Sequence, residues 1–394
     1  MHLGYYIHLH GKGHAQRAKA IAQYFKFPLT FIGTGVSRHD WSGVKYYQTL
    51  NLPPDKLEYV PNLPINEDCL TYSFHYAPFY SDSYRRRATK IADWVEKTKP
   101  VAVIVDVSAE FSQYFRLLGV PVIAVRQHGD RSDYPHLAGY DAAYKLFAPY
   151  PEILEFGTVP SWIREKTIYS PGFSRYSGRV LTRDVARKQL NLTPEQKVVL
   201  VLNGKGGTSH SLAKIAAAAV ATPEWQWLVV GKTGRDRHSL PSNVTVVGWC
   251  EDTYPYLKAA DVAIASGGHN TVMEIGTAAV PFLCIPEPRP FDEQQIKAQI
   301  LQKLGLCVQL KQFPKENAIA EILERSQSID TSKWRQIMAV DGAKQAANSI
   351  FAELKILSGY QQAANKINSL HLSEANYNDS EWQGVNQGIY KVSS

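Results

Sequence analysis

Short apolar runs alternate with longer helix-like stretches along most of the chain, and this alternation constrains the fold more than any other sequence feature. The run VAVIVDV at 101–107 is apolar almost throughout, as expected of a parallel strand buried on both faces. A helical segment at 109–118 and a second apolar run at 120–125 follow it. Strand–helix–strand order of this kind predicts a parallel sheet covered by helices.

The same organisation begins twice. An apolar run at 4–9 leads into the glycine-rich loop His10–His14 and a helix expected at 15–25, and a second run at 198–202 leads into another glycine-rich loop at 203–208. We therefore predict an α/β protein with two facing Rossmann-like parallel-sheet domains. The predicted boundaries are an N-terminal domain at 1–168, a linker at 169–183, a C-terminal domain at 184–335, a helix crossing back at 336–358 and a polar tail at 359–394.

Composition excludes several protein classes. Hydrophobic residues make up 44% of the 394 residues and charged residues 20%, which is typical of a globular protein rather than a disordered or coiled-coil one. The four cysteines are far apart in the sequence and lack the spacing of a zinc site, which indicates free thiols in a reducing compartment. No stretch looks like a signal peptide or a membrane span. We expect a cytoplasmic protein, with the inner face of the membrane as an alternative location.

The formal charge of +7 is mild, and its densest cluster is Arg85–Arg87 in an expected helix. This cluster indicates either a solvated basic face or an anionic partner such as a nucleotide, a phosphosugar or a lipid surface, and thus peripheral membrane contact. Nothing in the charge pattern is typical of nucleic-acid binding.

Two loops of the second half have the composition of phosphate sites. In an open α/β sheet, ligands bind at the carboxyl ends of the strands. After the strand expected at 262–265, Gly267 and Gly268 leave the backbone open, and Asn270 and Thr271 offer donors at a helix N-terminus, where a diphosphate would be stabilised. Glu274, one turn further on, could accept hydrogen bonds from ribose hydroxyls. The alternative is that Thr271 and Glu274 only cap the helix.

The residues after Glu274 extend this pattern: Gly276, Val280-Pro281, Ile285-Pro286 and then Asp292–Gln295. In order and spacing, residues 245–298 resemble the donor-binding signature of nucleotide-sugar glycosyltransferases with the GT-B fold. The resemblance is to the MurG-like and UDP-glycosyltransferase families, with a C-terminal domain in the style of glycosyltransferase family 28. It implies an N-terminal acceptor domain and a C-terminal nucleotide-sugar donor domain.

The resemblance also implies roles for individual residues of the donor site. Glu274 would bind the ribose, Trp249 would form the wall of the base site, and Gln294 and Gln295 would contact the donor sugar. The residues expected around the diphosphate are Gly206, Gly207, Thr208, Ser266, Gly267, Gly268, His269, Asn270 and Thr271. The chain departs from the families at Ser266 and Ala298, which leaves the sugar open.

In the first half, His14 closes the glycine-rich loop and Asp106 ends the strand at 101–105. A histidine at such a turn could remove a proton from an acceptor hydroxyl, with a carboxylate to orient it. The UDP-glycosyltransferases have a similar histidine and aspartate, so His14 and Asp106 are the candidate catalytic dyad. Alternatively, His14 only shapes the loop and Asp106 caps the next helix. The expected acceptor contacts are Gly13, Arg17, His128, Asp130 and Arg131.

These features predict transfer of a sugar, with inversion, from a nucleotide diphosphate donor, expected to be a UDP-sugar, to a hydroxyl acceptor. The sequence leaves the acceptor open between a lipid-linked saccharide, a glycolipid precursor, a polysaccharide and a small molecule. No Asp-x-Asp metal motif occurs, so we expect no metal and no other cofactor; the helix dipole and hydrogen-bond donors would stabilise the leaving group. Two alternatives remain at this point: a non-hydrolysing nucleotide-sugar epimerase, and a nucleotide-sugar-binding protein without turnover.

Overall fold

The computed structural model describes residues 1–8, 12–54, 71–155, 157, 159–204, 210–233 and 240–374. Within them the chain forms two sheets in which every paired strand is parallel, one in each half. The predicted α/β fold with two facing Rossmann-like domains is therefore confirmed.

The N-terminal sheet has seven strands in the order β3-β2-β1-β4-β5-β6-β7. Its strands are β1 (Leu3–Ile7), β2 (Leu29–Gly33), β3 (Tyr47–Asn51), β4 (Ala102–Asp106), β5 (Val122–Val125), β6 (Lys145–Ala148) and β7 (Thr167–Tyr169). Its helices are α1 (Lys12–Ala22), α2 (Asp82–Thr98), α3 (Ala109–Leu117), α4 (Tyr134–Ala142) and α5 (Ser161–Lys166). All five residues of β1 and of β4 are buried, because helices cover both faces of the sheet.

The C-terminal sheet has six strands in the order β10-β9-β8-β11-β12-β13. Its strands are β8 (Lys197–Asn203), β9 (Trp225–Gly231), β10 (Val244–Gly248), β11 (Val262–Ala265), β12 (Phe282–Cys284) and β13 (Val308–Gln309). Its helices are α6 (Arg183–Gln189), α7 (Leu212–Val220), α8 (Tyr254–Ala259), α9 (His269–Ala278), α10 (Glu293–Lys303) and α11 (Glu316–Ser326). In both sheets the strand order reverses beside the first strand, which is where doubly wound sheets bind ligands.

The last helix, α12 (Gly342–Glu374), returns to the N-terminal domain, where Ala346, Ile350 and Leu354 pack in one cluster with Leu3 and Ile21. Its bounds correct the prediction of a helix at 336–358 followed by a polar tail from 359. A glycine inside a helix costs only about 1 kcal/mol, so Gly359 does not end it. Residues 375–394 lie outside the described residues.

The three arginines of the basic cluster Arg85–Arg87 do not all lie on the same face of α2. Arg87 is fully buried and donates to the Tyr6 hydroxyl at 2.6 Å, whereas Arg85 is exposed and pairs with Asp82 at 2.9 Å. The three arginines therefore do not form one basic surface. Across the described residues, no helix is both long and apolar enough to cross a membrane.

Candidate functional site

The carboxyl ends of β1 and β4 face those of β8 and β11 across a cleft between the domains. One side chain bridges the cleft directly: Asn270 at the start of α9 donates to the Gly13 carbonyl at 3.2 Å and to the Gln16 side-chain oxygen at 3.1 Å, both on α1. The Asn270 amide thus joins the two domains, and its expected contact to a diphosphate stays a prediction. Gly13, an expected acceptor contact, lies at this bridge.

His14 and Asp106 lie together on the N-terminal side of the cleft. β1 and β4 are neighbours, with Ile7 opposite Asp106, so the residues following β1 meet the end of β4. His14 lies in the first turn of α1 rather than in the preceding loop, and its Nδ1 is 3.0 Å from the Asp106 Oδ1. A carboxylate oxygen only accepts hydrogen bonds, so in the tautomer that bonds to Asp106 the proton is on Nδ1 and Nε2 is the basic atom. The Arg17 Nη2 also lies 3.1 Å from this Nδ1.

Arg17, one turn after His14 on α1, is the third member of this group. Its Nε donates to the Asp106 Oδ2 at 3.1 Å, and its Nη2 donates to the same Oδ1 that His14 contacts. Burial disfavours the charged carboxylate, but Arg17 and His14 outweigh burial and lower the pKa of Asp106 to about 2. Arg17 is itself buried on Asp106 and thereby orients the dyad. The acceptor contact that the sequence predicted for Arg17 stays a prediction.

The turn after Asp106 is strained. Val107 has a φ of 64°, a left-handed conformation that is rare for a β-branched residue and costs about 1–3 kcal/mol. The helix α3 that follows is capped by Ser108, whose hydroxyl accepts from the Phe111 backbone N–H at 3.2 Å. Asp106 is therefore not the capping residue, and its carboxylate serves His14 and Arg17.

On the opposite side of the cleft, Glu274 lies within the first two turns of α9. The Nε of Arg175 pairs with one carboxylate oxygen at 2.9 Å, and the Thr253 hydroxyl donates to the other at 3.3 Å. Burial raises the pKa of Glu274, although Arg175 opposes the shift. The sequence did not identify Arg175, which comes from the segment between the two domains.

Glu274 lines a cavity of about 710 Å³ between the domains, which we call the large cavity. This volume lies within the range of pockets that bind small molecules. Trp249 is half exposed at the same cavity, where the sequence placed the wall of the base site. The residues lining the large cavity include Gly13, Arg38, Arg175, Asn203, Gly204, Trp249, Thr253, Asn270, Thr271 and Glu274.

The loop between β11 and α9 approaches α10 closely. A Cβ on Gly267 would lie 3.1 Å from the Gln294 carbonyl oxygen, so any larger residue would push this loop and α10 apart by a few tenths of an ångström. The Gln294 side-chain oxygen accepts from the backbone N–H groups of Gly267 at 3.0 Å and Glu287 at 2.9 Å. The Gln294 side-chain oxygen therefore holds the loop in place, and Gln295 is exposed. The contacts of both residues to the donor sugar stay predictions.

The other expected donor contacts divide into two groups. Ser266, Gly268 and His269 lie at the start of α9 as predicted, and burial together with the charge of Lys297 keeps the pKa of His269 well below its usual value. Gly206, Gly207 and Thr208 lie outside the described residues.

A second cavity of about 240 Å³, the small cavity, lies beside the dyad in the N-terminal domain. Val105 and Val107 on either side of Asp106 line it, as does His8, whose ring centroid is 6.2 Å from that of His14. The other lining residues are His75, Tyr76, Ser108, Ala109, Glu110, Ser112, Ala124, Val125, Gln127, Arg131, His136, Gly139, Tyr140 and Phe291.

Of the expected acceptor contacts at 128–131, one reaches the small cavity. Arg131 lines it, donates to the His128 carbonyl at 3.2 Å and stacks on Phe291, with 4.7 Å from its guanidinium carbon to the ring centroid. His128 is buried against Tyr150 at 4.0 Å, and burial keeps its pKa well below the usual value. Asp130 is exposed and accepts from the Ser132 hydroxyl at 2.6 Å, and neither His128 nor Asp130 lines the small cavity.

A chain of hydrogen bonds that the sequence did not predict crosses the wall of the small cavity. Asp133 contacts His75 Nε2 and His136 Nδ1, each at 2.5 Å, and Glu110 lies 3.5 Å from His75 Nδ1. Arg131 donates to His136 Nε2 at 2.9 Å, so that nitrogen is unprotonated and Nδ1 carries the proton. Burial, with the nearby Arg131, lowers the pKa of His136 to about 4, whereas Glu110 and Asp133 raise that of His75.

Within the described ranges, one cluster has side chains that could bind a metal ion. It consists of His75, Asp133 and His136, whose potential ligand atoms all lie within 4.8 Å of one another. A metal on His136 Nδ1 would require the proton on Nε2, where Arg131 already donates. The hydrogen-bonding pattern around His136 therefore fits a neutral imidazole better than a metal ligand.

Phe291 closes the small cavity from the C-terminal domain. It and the next residue, Asp292, both have positive φ angles, 61° and 51°, just before α10. The Phe291 ring lies edge-on to His136, with ring centroids 4.7 Å apart, and its carbonyl accepts from the Asp130 backbone N–H at 2.8 Å. Both domains therefore contribute to the small cavity.

Comparison with known proteins agrees with this architecture. Residues 229–353 match the glycosyltransferase family 28 C-terminal domain. An uncharacterized glycosyltransferase of Methanosarcina acetivorans is 27% identical over 216 residues, which cover 52% of this chain and 53% of that protein. The chain thus spans about half the length of this curated relative.

Two further similarities concern MurG-type proteins. The UDP-N-acetylglucosamine–N-acetylmuramyl-(pentapeptide) pyrophosphoryl-undecaprenol N-acetylglucosamine transferase of Rubrobacter xylanophilus is 27% identical over 185 residues, 46% of this chain and 52% of that protein. The crystal structure of Acinetobacter baumannii MurG superposes with a TM-score of 0.60 at 15% identity, covering 88% of this chain and 98% of that one. These matches confirm the predicted resemblance to GT-B glycosyltransferases.

Proposed function

We propose that this chain, whose two domains have the GT-B arrangement, transfers a glycosyl group from a UDP-sugar to a hydroxyl acceptor with inversion and without a metal. The observation that carries the proposal is the pairing of His14 with Asp106 on one side of the cleft, opposite the large cavity that contains Glu274. The family 28 match at 229–353 and the UDP-sugar substrate in the name of the Rubrobacter relative support the donor class.

In the proposed reaction, the free Nε2 of His14 takes the proton of the acceptor hydroxyl. The hydroxyl oxygen attacks the anomeric carbon as the bond to the diphosphate oxygen breaks, and the nucleoside diphosphate leaves with the electron pair. Asp106 holds the imidazole in the required tautomer and stabilises the imidazolium that forms, and Arg17 holds Asp106. The N-terminus of α9 faces the expected diphosphate position and stabilises its charge.

Nucleotide binding tests the donor half of the proposal. Thermal stability is measured with UDP, GDP, TDP and ADP at millimolar concentration for the wild type, Glu274→Gln and the exposed control Glu321→Gln. A nucleotide at about 100 times its Kd stabilises the fold by roughly 2.7 kcal/mol. We expect UDP to stabilise the wild type and the control, but Glu274→Gln much less. If no nucleotide stabilises the wild type, the proposal is wrong.

Turnover tests the catalytic half. UDP release from UDP-sugars is measured with and without hydroxyl acceptors, for the wild type and His14→Ala. We expect acceptor-dependent UDP release that the variant loses while it still binds UDP. A new sugar nucleotide formed without acceptor would instead identify an epimerase, and binding without any turnover would identify a non-catalytic binding protein.

A further inference from the structure

We propose that the acceptor is an uncharged, hydroxylated ring compound that binds in the small cavity between Phe291 and the wall formed by Arg131, His75 and Glu110. This inference rests on the proposed function, because it names the acceptor class for that reaction. It excludes a phosphorylated or diphosphate-linked group as the part of the acceptor that enters the cavity.

The position of the small cavity fits an acceptor. Val105 and Val107 line it on both sides of Asp106, and His8 lines it with its ring centroid 6.2 Å from that of His14. The cavity thus borders on residues that contact or adjoin the proposed catalytic dyad. At about 240 Å³, the cavity has room for a ring rather than for a single water molecule.

The surfaces of the cavity suit a ring with one apolar face. The rings of Phe291 and Tyr140 and the side chains of Ala124 and Val125 form apolar walls. Gln127 accepts from Arg131 at 3.0 Å through its side-chain oxygen, which leaves its amide hydrogens for a ligand hydroxyl. An amphipathic ring can pack one face on an aromatic side chain while its hydroxyls bond to such polar groups.

The charges around the cavity oppose an anion. Arg131 is the one lysine or arginine among the described lining residues, and it already donates to His136, Gln127 and the His128 carbonyl and lies 3.9 Å from Glu293. Glu110 is the carboxylate among these lining residues, and it flanks His75 together with Asp133, which lies outside the cavity lining. Among the described lining residues, a phosphate would therefore face the Glu110 carboxylate and no lysine or arginine without a partner, whereas a neutral ligand would not be repelled.

The charge on the surface of α2 is consistent with an uncharged acceptor. The sequence suggested an anionic or lipid-surface partner from the cluster Arg85–Arg87, but Arg87 is buried and committed to Tyr6, and Arg85 and Arg86 both lie within 4.0 Å of Asp82 carboxylate oxygens. In the described part of α2, the exposed Arg85 and Arg86 thus share one carboxylate, and the buried Arg87 adds no charge to the surface. This arrangement gives a phosphorylated acceptor less positive charge than the sequence suggested.

The test compares two probes that differ in one charged group, p-nitrophenyl β-glucoside and its 6-phosphate. Binding of each to the full chain is measured by calorimetry and by saturation-transfer NMR, without nucleotide. We expect the neutral glucoside to bind at least tenfold more tightly than the phosphate. Equal or tighter binding of the phosphate, or binding of neither probe, overturns the inference.

Variants of Phe291 and Asp133 test where the glucoside binds and which carboxylate contributes to the discrimination against its 6-phosphate. Phe291→Ala is expected to weaken glucoside binding about tenfold, and Phe291→Leu to restore part of it, while the UDP-induced rise in Tm stays unchanged. Asp133→Asn is expected to reduce the discrimination against the phosphate, whereas the exposed control Glu321→Gln keeps it. Glucoside binding that is unchanged in Phe291→Ala places the ligand elsewhere and also overturns the inference.

The same samples separate this inference from the proposed function. If UDP fails to stabilise the wild type but the glucoside preference is present, the donor proposal fails and the ligand class of the cavity stands. If UDP binds and the phosphate is preferred, only the present inference fails.

Discussion

Replacing Asp106 by asparagine removes the carboxylate that holds His14 and Arg17, and we expect it to destabilise the protein strongly. Asp106 is fully buried, and Arg17 is 5% exposed with both of its hydrogen-bonding nitrogens on that carboxylate. Asp106→Asn leaves the guanidinium charge buried without a counter-charge. Breaking a buried ion pair from one side costs about 3–5 kcal/mol.

Part of this effect follows separately from the pKa of Asp106, which reports the ionisation of the carboxylate but not the cost of the unpaired guanidinium. The folded state lowers this pKa from 3.8 to about 2, and each pKa unit corresponds to about 1.36 kcal/mol. The carboxylate thus contributes about 2 kcal/mol of stability at neutral pH. Because the folded-state pKa is the lower one, this contribution is complete above pH 4 and is lost as the pH falls from about 4 to about 2.

The assay is urea unfolding at pH 7, followed by tryptophan fluorescence, for Asp106→Asn, Arg17→Met and the double variant. We expect the double variant to be more stable than Asp106→Asn alone by at least about 1 kcal/mol, because it removes the unpaired charge. The surface pair Lys19–Asp40 provides a matched control, since Asp40→Asn changes an exposed carboxylate 2.7 Å from a cation and should have little effect.

Two results would refute this reasoning. One is an Asp106→Asn variant that unfolds at the urea concentration of the wild type. The other is a double variant no more stable than the single one, which would mean that the Arg17 charge is not what the carboxylate compensates. If the difference in free energy of unfolding between the wild type and Asp106→Asn does not shrink below pH 4, the argument from the pKa of Asp106 is wrong, although the argument from the buried ion pair is not affected.

Three further predictions concern the cleft. His14→Ala should lower kcat for glycosyl transfer at least about 100-fold with an unchanged UDP-induced Tm shift; a smaller loss would mean that another base acts. Gly267→Ala places a Cβ 3.1 Å from the Gln294 carbonyl and should weaken UDP binding about tenfold by calorimetry, and unchanged affinity would contradict it. Arg175→Ala removes the cation from the buried Glu274 carboxylate and should cost about 2 kcal/mol in thermal unfolding at pH 7. Because the pKa of Glu274 is raised, the cost should fall as the pH is lowered and Glu274 protonates, and a pH-independent loss would argue against this cause.

Much of the fold could be predicted from the sequence because the central strands are buried on both faces. The runs that became β4, β8 and β11 are continuously apolar, and their observed ends lie within two residues of the predicted ones. The edge strand β3 was missed because its residues Tyr47–Asn51 are mostly exposed and carry no apolar pattern. The strand β13 has two residues, too few for any periodicity.

The candidate site was predictable where its residues follow the ends of neighbouring strands. His14 and Asp106 were identified because parallel strands bring their carboxyl ends to one edge of a sheet, and they lie in contact. Arg17, Arg175 and Phe291 were not assigned their observed partners, because each contacts a residue from another part of the chain.

The sequence by itself determined the two parallel sheets, the glycine-rich turn into α9 and the positions of His14 and Glu274, because these depend on burial and on local backbone geometry. Only the tertiary structure decided what each charged group pairs with. Arg17 is buried on Asp106, Arg175 reaches from the surface to the buried Glu274, and Arg87 lies beneath the surface that the sequence suggested to be basic. The reason is physical: a buried charge must find a partner, and the partner is set by how the two domains and their connecting segment pack, not by neighbours in the sequence.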